Sequence, residues 1–259
     1  MSAASFELRP FPRSRHDIVD ALEVGVHRHM VHAILEFDVT DALALMRAQA
    51  TSERERLSFT AFIVASLARA IDEDKRLHAY RDWRGRLVLF DEVDVVTLIE
   101  SERDGVAIPH VIRAANRRTP RELHVEIRRI QSRHAASAQR SGVLMRLSRV
   151  TPGFLRRAFF RALRRDPRSL KRTAGTTLVT SVGMFGMGAG WAVGIVPLHT
   201  LGLTVGGITR KPGLIDGRIE ARDTLALTAS IDHDIVDGAP AARFAKRFRE
   251  IVEGALVLR

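Results

Sequence analysis

Cysteine is absent from the 259 residues of this chain. This absence excludes a disulfide framework, a thiolate nucleophile and any metal site built on cysteine ligands. Tyrosine and tryptophan are scarce as well, with one and two residues, whereas phenylalanine occurs twelve times. Hydrophobic residues make up 46% of the chain and charged residues 27%, which is typical of a globular protein and excludes a wholly disordered one.

The amino-terminal region lacks the features of a secretory signal. Arg9, Arg13 and Arg15 are not followed by an apolar run, so we expect a cytoplasmic location. The length suits one large domain better than two, and we expect a single α/β domain over residues 1–259.

Basic charge is concentrated in one part of the chain. Residues 128–172, called the basic segment below, hold fourteen Lys or Arg residues and one acidic residue, a net charge of +13. The whole chain carries +11, so the remainder carries −2. We interpret this as a near-neutral globule with a basic excursion at about residues 140–172. Nucleic-acid binding is disfavoured, because the basic segment has no Tyr or Trp to stack on bases.

Charged residues are missing altogether from residues 173–209. A run of that length could span a bilayer, but it holds nine of the chain's 18 glycines, with Pro197 and His199. Two buried strands, over 176–182 and 202–209, joined by a glycine-rich loop from Gly183 to Gly194, explain it better.

The remaining pattern interleaves strands and helices. We expect strands over residues 30–39, 93–99, 105–112 and 225–232 from their apolar content and alternation. Helices are expected over 41–48, after Ser58, from Thr119 to about residue 138, and from about Pro240. Because the rhythm is not strictly βαβ, the pattern predicts an α/β (α+β) sandwich with a mixed sheet and flanking helices.

The sequence His-Asp-Ile-Val-Asp occurs twice, at residues 16–20 and 233–237. The second copy follows a strand and precedes Gly238 and a helix, a context that can project His233 into a cleft. Histidine is the natural general base near neutral pH. The first copy lies in an amphipathic helical pattern, and we expect it on a solvated face. A metal site at His233, Asp234 and Asp237 fits by ligand type, but no second cluster supports it.

A general-base histidine suits acyl transfer to a thiol. A free thiol has a pKa of about 8.5, so a modest base activates it. The tetrahedral oxyanion then needs a hydrogen-bond donor. Thr180 and Ser181 could supply a hydroxyl at the end of a buried strand, or they could merely complete the strand and its turn.

Residues 232–244 (DHDIVDGAPAARF) resemble the His-x-x-x-Asp-Gly segment of the catalytic domain of 2-oxoacid dehydrogenase acyltransferases. These are the dihydrolipoamide acyltransferase components, and they share their fold with chloramphenicol acetyltransferase. Other stretches resemble this family in the same order along the chain: residues 37–40, 105–113, 176–186 and 203–206.

The resemblance implies a chloramphenicol acetyltransferase-like fold and a coenzyme A-dependent acyltransferase without a metal. His233 would be the general base on the thiol, Asp237 would orient the active-site segment, Gly238 would form its turn, and Thr180 would bind the oxyanion. The family's site lies between the subunits of a homotrimer, where coenzyme A and lipoamide enter from opposite ends of a channel.

The chain also departs from the family's pattern. It shows no lipoyl domain and no Pro/Ala linker, so we expect a stand-alone member that meets any lipoyl group on another protein. Asp234 replaces a usual Arg, while Leu178, Val196 and His199 also differ from the family's residues. The alternative is a non-catalytic trimeric scaffold or assembly subunit, which has no need to retain His233 together with Thr180.

The basic segment contains an apolar stripe of Phe154, Leu155, Phe159 and Leu163 beside arginines. Basic amphipathic helices suit an anionic membrane surface or an acidic partner. We expect residues 149–172 to make such a contact, either as a peripheral membrane attachment or with an acidic carrier of the acyl group. The alternative is that the stripe packs onto the globule.

Overall fold

The computed structural model describes residues 6–12, 15–50, 56–100, 107–136, 151–181 and 189–259. Its helices are α1 (His16–Gly25), α2 (Thr40–Ala48), α3 (Phe59–Asp72), α4 (Pro120–Ala136), α5 (Gly153–Arg165), α6 (Pro167–Ala174) and α7 (Gly238–Glu253). Its strands are β1 (Met30–Asp38), β2 (Tyr80–Arg81), β3 (Leu87–Val88), β4 (Val95–Glu100), β5 (Ala107–Ile112), β6 (Thr177–Ser181), β7 (Leu201–Ile215) and β8 (Arg218–Asp232).

Six strands form one mixed sheet in the order β1-β8-β7-β6-β4-β5. The pairs β1–β8, β7–β8 and β4–β5 are antiparallel, whereas β6 is parallel to both β4 and β7. Strand β5 is at the edge of the sheet, where proline is tolerated, and it contains Pro109. This topology confirms the predicted α/β architecture with a mixed sheet.

The main core lies between one face of the sheet and helices α2, α3 and α7. Alternate residues of β8 enter it, as the sequence pattern predicts: Leu225, Leu227, Ala229 and Ile231 are all buried. Phe37 of β1 meets Phe248 of α7 edge to face, with ring centroids 5.4 Å apart.

Helix starts follow their predicted capping residues. The Ser58 hydroxyl accepts a hydrogen bond from the Ala61 amide at 3.2 Å. Thr119 and Glu122 form a reciprocal capping box, in which the Thr119 amide donates to the Glu122 carboxylate and the Glu122 amide donates back to the Thr119 hydroxyl.

Strands β7 and β8 are longer than the sequence pattern indicates. Each extends beyond the predicted limits of 202–209 and 225–232, and a two-residue turn joins them. Asp216 and Gly217 in that turn have φ of 48° and 79°. Asp-Gly is a strong signal for a hairpin whose two central residues both need positive φ, and this signal was available in the sequence.

The basic segment is anchored to the globule by its own charges. Of its described part, α5 packs on α1, where the carboxylate of Asp20 is buried and accepts from Arg156 at 2.6 Å and Arg157 at 3.4 Å. Arg164 donates to the carbonyl oxygen of Val24. The expectation that the first His-Asp-Ile-Val-Asp copy lies on a solvated face is therefore wrong for Asp20, because the arginines of α5 cover it.

Helix α6 is fixed through the buried carboxylate of Asp94. Lys171 lies 3.0 Å from one Asp94 oxygen and Arg113 lies 2.8 Å from the same oxygen, while the Ala114 amide donates to the other. Burial raises the pKa of Asp94, but the hydrogen bonds and the two cations outweigh it and hold that pKa below its ordinary value.

The apolar stripe of α5 is divided between the protein and the solvent. Leu163 is buried in a small cluster with Leu170 and Leu198. Phe154, Leu155 and Phe159 remain 64%, 48% and 49% exposed. The helix thus directs Arg156 and Arg157 toward the buried Asp20 and leaves most of its apolar side chains exposed to solvent. No helix among the described residues has the length and apolarity needed to cross a membrane.

Two buried histidines hold the chain where α6 leads into β6. The Nδ1 atom of His78 lies 3.0 Å from the Thr176 hydroxyl, and Nε2 of His199 lies 2.7 Å from the Ala174 carbonyl oxygen. Burial lowers the pKa of each to about 4. Nδ1 of His199 has no hydrogen-bond partner among the described residues, so a proton there would place an unpaired charge in the interior.

These two histidines predict a loss of stability in mild acid. The unfolded chain binds their protons near pH 6.5 and the folded chain only near pH 4, so the free energy of unfolding falls as pH decreases through that window. The ceiling is about 3 kcal/mol per histidine, at 1.36 kcal/mol per pKa unit. Urea unfolding of wild type and His199→Gln at pH 7 and pH 4.5 measures it. The variant is expected to lose less stability between the two values, and equal losses would contradict the assignment.

Candidate functional site

His233 lies directly beyond the last residue of β8. Its backbone amide donates to the His29 carbonyl oxygen at 2.9 Å, and its side chain is exposed in the single chain. The amides of Ile235 and Val236 fold back onto the Asp232 carbonyl oxygen at 3.1 and 3.0 Å. The imidazole therefore projects from a hydrogen-bonded turn at the end of a central hairpin, a rigid position for a reactive group.

A buried ion pair supports this turn from below. The carboxylate of Asp232 lies 2.8 Å from the Arg28 guanidinium, with side-chain exposures of 4% and 12%. Arg28 also donates to the carbonyl oxygen of His199 at 2.7 Å. The pair thus ties the end of β8 to the residues before β1 and to the loop before β7.

A second polar contact lies beside it at the surface. Nδ1 of His29 is 2.8 Å from a carboxylate oxygen of Asp234. The hydrogen bond from His29 is the main reason that the pKa of Asp234 lies below its ordinary value. Asp234 stands where we expect an Arg from the resemblance described above, and here its carboxylate contacts His29, the residue just before β1.

Asp237 and Gly238 form the start of α7. Asp237 is the N-cap residue, but its exposed side chain makes no capping hydrogen bond. The expected tight turn at Gly238 is not what the structure shows, because the turn spans residues 233–235 and Gly238 is the first residue of the helix. Its φ is not positive, and an added Cβ would have no neighbour within 4 Å.

Thr180 and Ser181 close strand β6 and face opposite sides of the sheet. An added Cβ on Gly194 would approach both Thr204 and Thr180, so the loop 189–200 passes over the Thr180 side. Ser181 instead lines an open cavity of about 620 Å³ with residues of α2, α3 and α4. The glycine-rich loop predicted from Gly183 lies partly outside the described residues.

Within one chain the structure does not bring Thr180 and His233 together. Thr180 pairs with Thr204 of β7, which pairs with Thr228 of β8, five residues before His233. At about 3.3 Å per residue the two lie about 16 Å apart along the strands, and two strands apart across them. A site that uses both needs a second copy of the chain, as the resemblance implies.

The described residues contain no group of three His, Asp or Glu side chains that could hold a metal ion. Two residues that support the turn of His233, Arg28 and His29, are not indicated by any motif considered above. Arg28 and His29 belong to the run His27-Arg28-His29 just before β1, and this run of basic residues at a strand start was the available signal. Their pairing with Asp232 and Asp234 joins residues more than 200 positions apart.

Comparison with known families gives one match over most of the chain. The model of the "2-oxoacid dehydrogenases acyltransferase (catalytic domain)" family matches residues 4–141 and 160–258. The unmatched residues between these stretches lie in the basic segment.

Two curated relatives illustrate the similarity. A lipoamide acyltransferase component of the branched-chain alpha-keto acid dehydrogenase complex of Bacillus subtilis is 24% identical over 225 residues, covering 85% of this chain and 46% of that protein. A dihydrolipoyllysine-residue acetyltransferase component of the pyruvate dehydrogenase complex of Zymomonas mobilis is 38% identical over 82 residues, covering 32% of this chain and 18% of that protein. The chain spans less than half the length of these relatives.

Solved structures show the same fold. A probable dihydrolipoamide acetyltransferase from Listeria monocytogenes superposes with a TM-score of 0.76 at 22% identity, covering 97% of this chain and 96% of that one. The dihydrolipoamide acetyltransferase of Azotobacter vinelandii gives a TM-score of 0.77 at 18% identity, with 98% and 94% covered. A chloramphenicol acetyltransferase gives 0.55 at 15% identity, with 94% and 96% covered. The expected chloramphenicol acetyltransferase-like fold is therefore confirmed.

Proposed function

Because this chain belongs to the family of 2-oxoacid dehydrogenase acyltransferase catalytic domains, we propose that it is a coenzyme A-dependent acyltransferase. The observation that carries the proposal is the placement of His233, which projects from a turn fixed by the buried Arg28–Asp232 pair. The reaction moves an acyl group from one thiol to another, with coenzyme A and a dihydrolipoyl group as the two thiols.

The proposed mechanism needs one base and one hydrogen-bond donor. The neutral His233 imidazole removes the proton of the attacking thiol, and the thiolate forms a C–S bond to the thioester carbonyl carbon. The Thr180 hydroxyl of a neighbouring subunit donates to the resulting oxyanion. Collapse of the tetrahedral intermediate breaks the original C–S bond, and the departing thiolate takes the proton back from His233.

The spacing of residues in a solved relative supports a donor at the end of β6 and an orienting residue at Asp237. In the Azotobacter vinelandii enzyme, a serine, a histidine and an asparagine were studied for their part in the catalytic mechanism; the serine precedes the histidine by 52 residues and the asparagine follows it by four. Here Thr180 and Ser181 precede His233 by 53 and 52 residues, and Asp237 follows it by four. The serine count falls on Ser181 and differs from Thr180 by one residue. We assign Thr180 as the donor because it holds the Ser/Thr position within residues 176–186, the stretch that resembles the family, and Asp237 as the residue that orients the turn.

An oligomer, a homotrimer in its simplest form, is part of the proposal. The distance between Thr180 and His233 within one chain requires a partner copy. The loop 189–200 also exposes a row of apolar side chains, with Trp191, Val193 and Ile195 at 47%, 53% and 72% exposed. Exposed apolar side chains grouped in this way mark an interaction surface. A solved relative forms the cubic core of a pyruvate dehydrogenase complex. The alternative function is therefore a non-catalytic trimeric scaffold or assembly subunit with the same fold.

The first test separates the enzyme from the scaffold. Exchange of acetyl groups between coenzyme A and free dihydrolipoamide is expected for wild type and is measured beside a panel of other thiol and amine acceptors. His233→Ala is expected to lower turnover by roughly 10²- to 10⁴-fold, the usual contribution of a general base. His16→Ala, in the other copy of the motif, is the control and keeps full activity. Equal losses in both variants, or none, would refute the role of His233.

The second test addresses the shared site. Thr180→Val and His233→Ala chains are each expected to be nearly inactive, and mixing them after partial unfolding and reassembly is expected to restore part of the activity. Ser181→Ala is the matched comparison, because Ser181 faces the other side of the sheet. It is expected to retain activity, and a loss of activity in Ser181→Ala but not in Thr180→Val would assign the donor to Ser181 instead. Light scattering at micromolar concentration measures the assembly. A monomer, or mixtures that stay inactive, would contradict a site between subunits.

The exposed face of α5 supports a further proposal about partners. Phe154, Leu155 and Phe159 lie outward on a helix within a segment of net charge +13, which is the pattern of helices that bind anionic bilayer surfaces. We propose that a mainly cytoplasmic protein associates peripherally with anionic membranes through this face. An acidic carrier protein is the alternative partner.

Sedimentation with vesicles tests the membrane contact. Wild type is expected to bind phosphatidylcholine vesicles containing phosphatidylglycerol at low salt, and to dissociate as salt rises, since exposed charges are screened over about 10 Å at 0.1 M. Phe154→Ser with Phe159→Ser is expected to abolish binding without altering turnover with small thiols. Val125→Ser, at an exposed apolar residue of α4, is the control. Equal binding by all three proteins, or binding only to an acidic carrier protein, would overturn the proposal.

A further inference from the structure

An open cavity of about 410 Å³ lies beside the turn that carries His233. Its wall is made by the chain after α1, the β2–β3 hairpin, helix α5 and the end of β8. Asp232 and Asp234, the neighbours of His233 on either side, both line it. The volume lies within the range of small-molecule sites.

Arginine is the dominant residue of this wall. Arg81 comes from the hairpin, Arg161, Arg164 and Arg165 come from α5, and Arg28 lies at the base. The three arginines of α5 follow one another at the spacing that places them on one side of a helix. The basic segment therefore contributes charge to the neighbourhood of the candidate active site as well as to the outer surface.

The acidic residues of the wall only partly neutralise these arginines. Asp232 is paired with Arg28, Asp82 with Arg86 and Glu23 with Arg157. Asp234 is hydrogen-bonded to His29, a residue that carries a charge only when protonated. Arg81, Arg161, Arg164 and Arg165 have no ion pair with any carboxylate in the described parts of the chain. The wall thus carries more positive than negative charge, and four of its arginines form no ion pair with a described residue.

The pKa of Arg164 reflects the positive charges that lie near it. Burial and the nearby positive charges of Arg28 and Arg81 lower the pKa of Arg164 from its ordinary value, although Asp232 acts in the opposite direction. Like charges held together are unfavourable unless an anion lies between them. Guanidinium groups bind phosphate oxygens through paired N–H donors, which makes phosphate the anion that an arginine cluster fits best.

We propose that this cavity binds the phosphate groups of a phosphopantetheine-bearing acyl carrier, with Arg81, Arg161 and Arg165 as the principal ligands. The inference rests on the proposed function for the reaction, and adds to it the residues that select the thiol. The same phosphate chemistry is present in free coenzyme A, which also carries a ribose 3′-phosphate, and in the single phosphodiester of a phosphopantetheinylated carrier protein.

Calorimetric titration of the full chain tests the site without requiring turnover. The probes are coenzyme A, 3′-dephospho-coenzyme A, pantetheine, adenosine 3′,5′-bisphosphate and inorganic diphosphate. Arg161→Gln with Arg165→Gln is expected to weaken binding of coenzyme A and inorganic diphosphate by roughly tenfold or more for each arginine, as for other charge-assisted hydrogen bonds. Binding of pantetheine, which has no phosphate, is expected to be unchanged.

The control removes two charges elsewhere. Arg168→Gln with Arg218→Gln changes two arginines outside the cavity wall and is expected to bind every probe like wild type. If the cavity variant and this control weaken equally, only the net charge matters and the site is refuted. Citrate that binds as tightly as diphosphate, and loses affinity in the same variant, would likewise refute phosphate selectivity.

Two further comparisons identify the source of the phosphate and separate this inference from the proposed reaction. A loss of affinity for 3′-dephospho-coenzyme A relative to coenzyme A points to the free coenzyme, whereas equal affinities point to the carrier protein. In turnover assays the cavity variant is expected to raise KM for coenzyme A and leave kcat unchanged. Acyl transfer with an unchanged KM would overturn the phosphate site alone. Phosphate binding that depends on Arg161 and Arg165 in a protein without acyl transfer would overturn the proposed function alone.

Discussion

The buried pair of Arg28 and Asp232 fixes the geometry on which the candidate site depends. It joins the residues before β1, the end of β8 and, through the His199 carbonyl, the loop before β7. Loss of either charge would strand the other in the interior, and breaking such a pair costs about 3–5 kcal/mol. The pair therefore holds the backbone of the turn that carries His233 in one position.

The charged side chains of the basic segment have two roles, one in attaching the segment to the globule and one at the cavity beside His233. Arg156 and Arg157 neutralise the buried Asp20, and Lys171 neutralises Asp94, so part of the +13 charge attaches the segment to the globule. Arg161 and Arg165 are left over and face the cavity beside His233. The apolar side chains at the start of α5 face outward instead. One short helix thus has an anchoring face, a face toward the site and a free apolar face.

A single chain cannot place the two groups of the proposed reaction in one site. Thr180 and His233 lie on the same sheet but about 16 Å apart along its strands, and the exposed apolar residues of the loop 189–200 provide a surface for another copy. An assembly in which each subunit contributes one of the two groups explains why both are solvent-exposed or half-exposed here. It also explains why Gly238, with open space around it, shows no constraint within one chain.

The sequence by itself determined where the main strands lie, which residues cap the helices and that His233 stands between a strand and a helix, because these features depend on local signals. Alternation in β8, the capping box at Thr119 and the strand–His–helix context of His233 each lie within a few neighbouring residues. Only the tertiary structure decided which charges meet. The pairs Arg28–Asp232 and Asp20–Arg156 join residues 204 and 136 positions apart, and no local pattern encodes such a contact. The same holds for the cavity of arginines, whose members come from a hairpin, a helix and the segment before β1, which only the folded chain brings together.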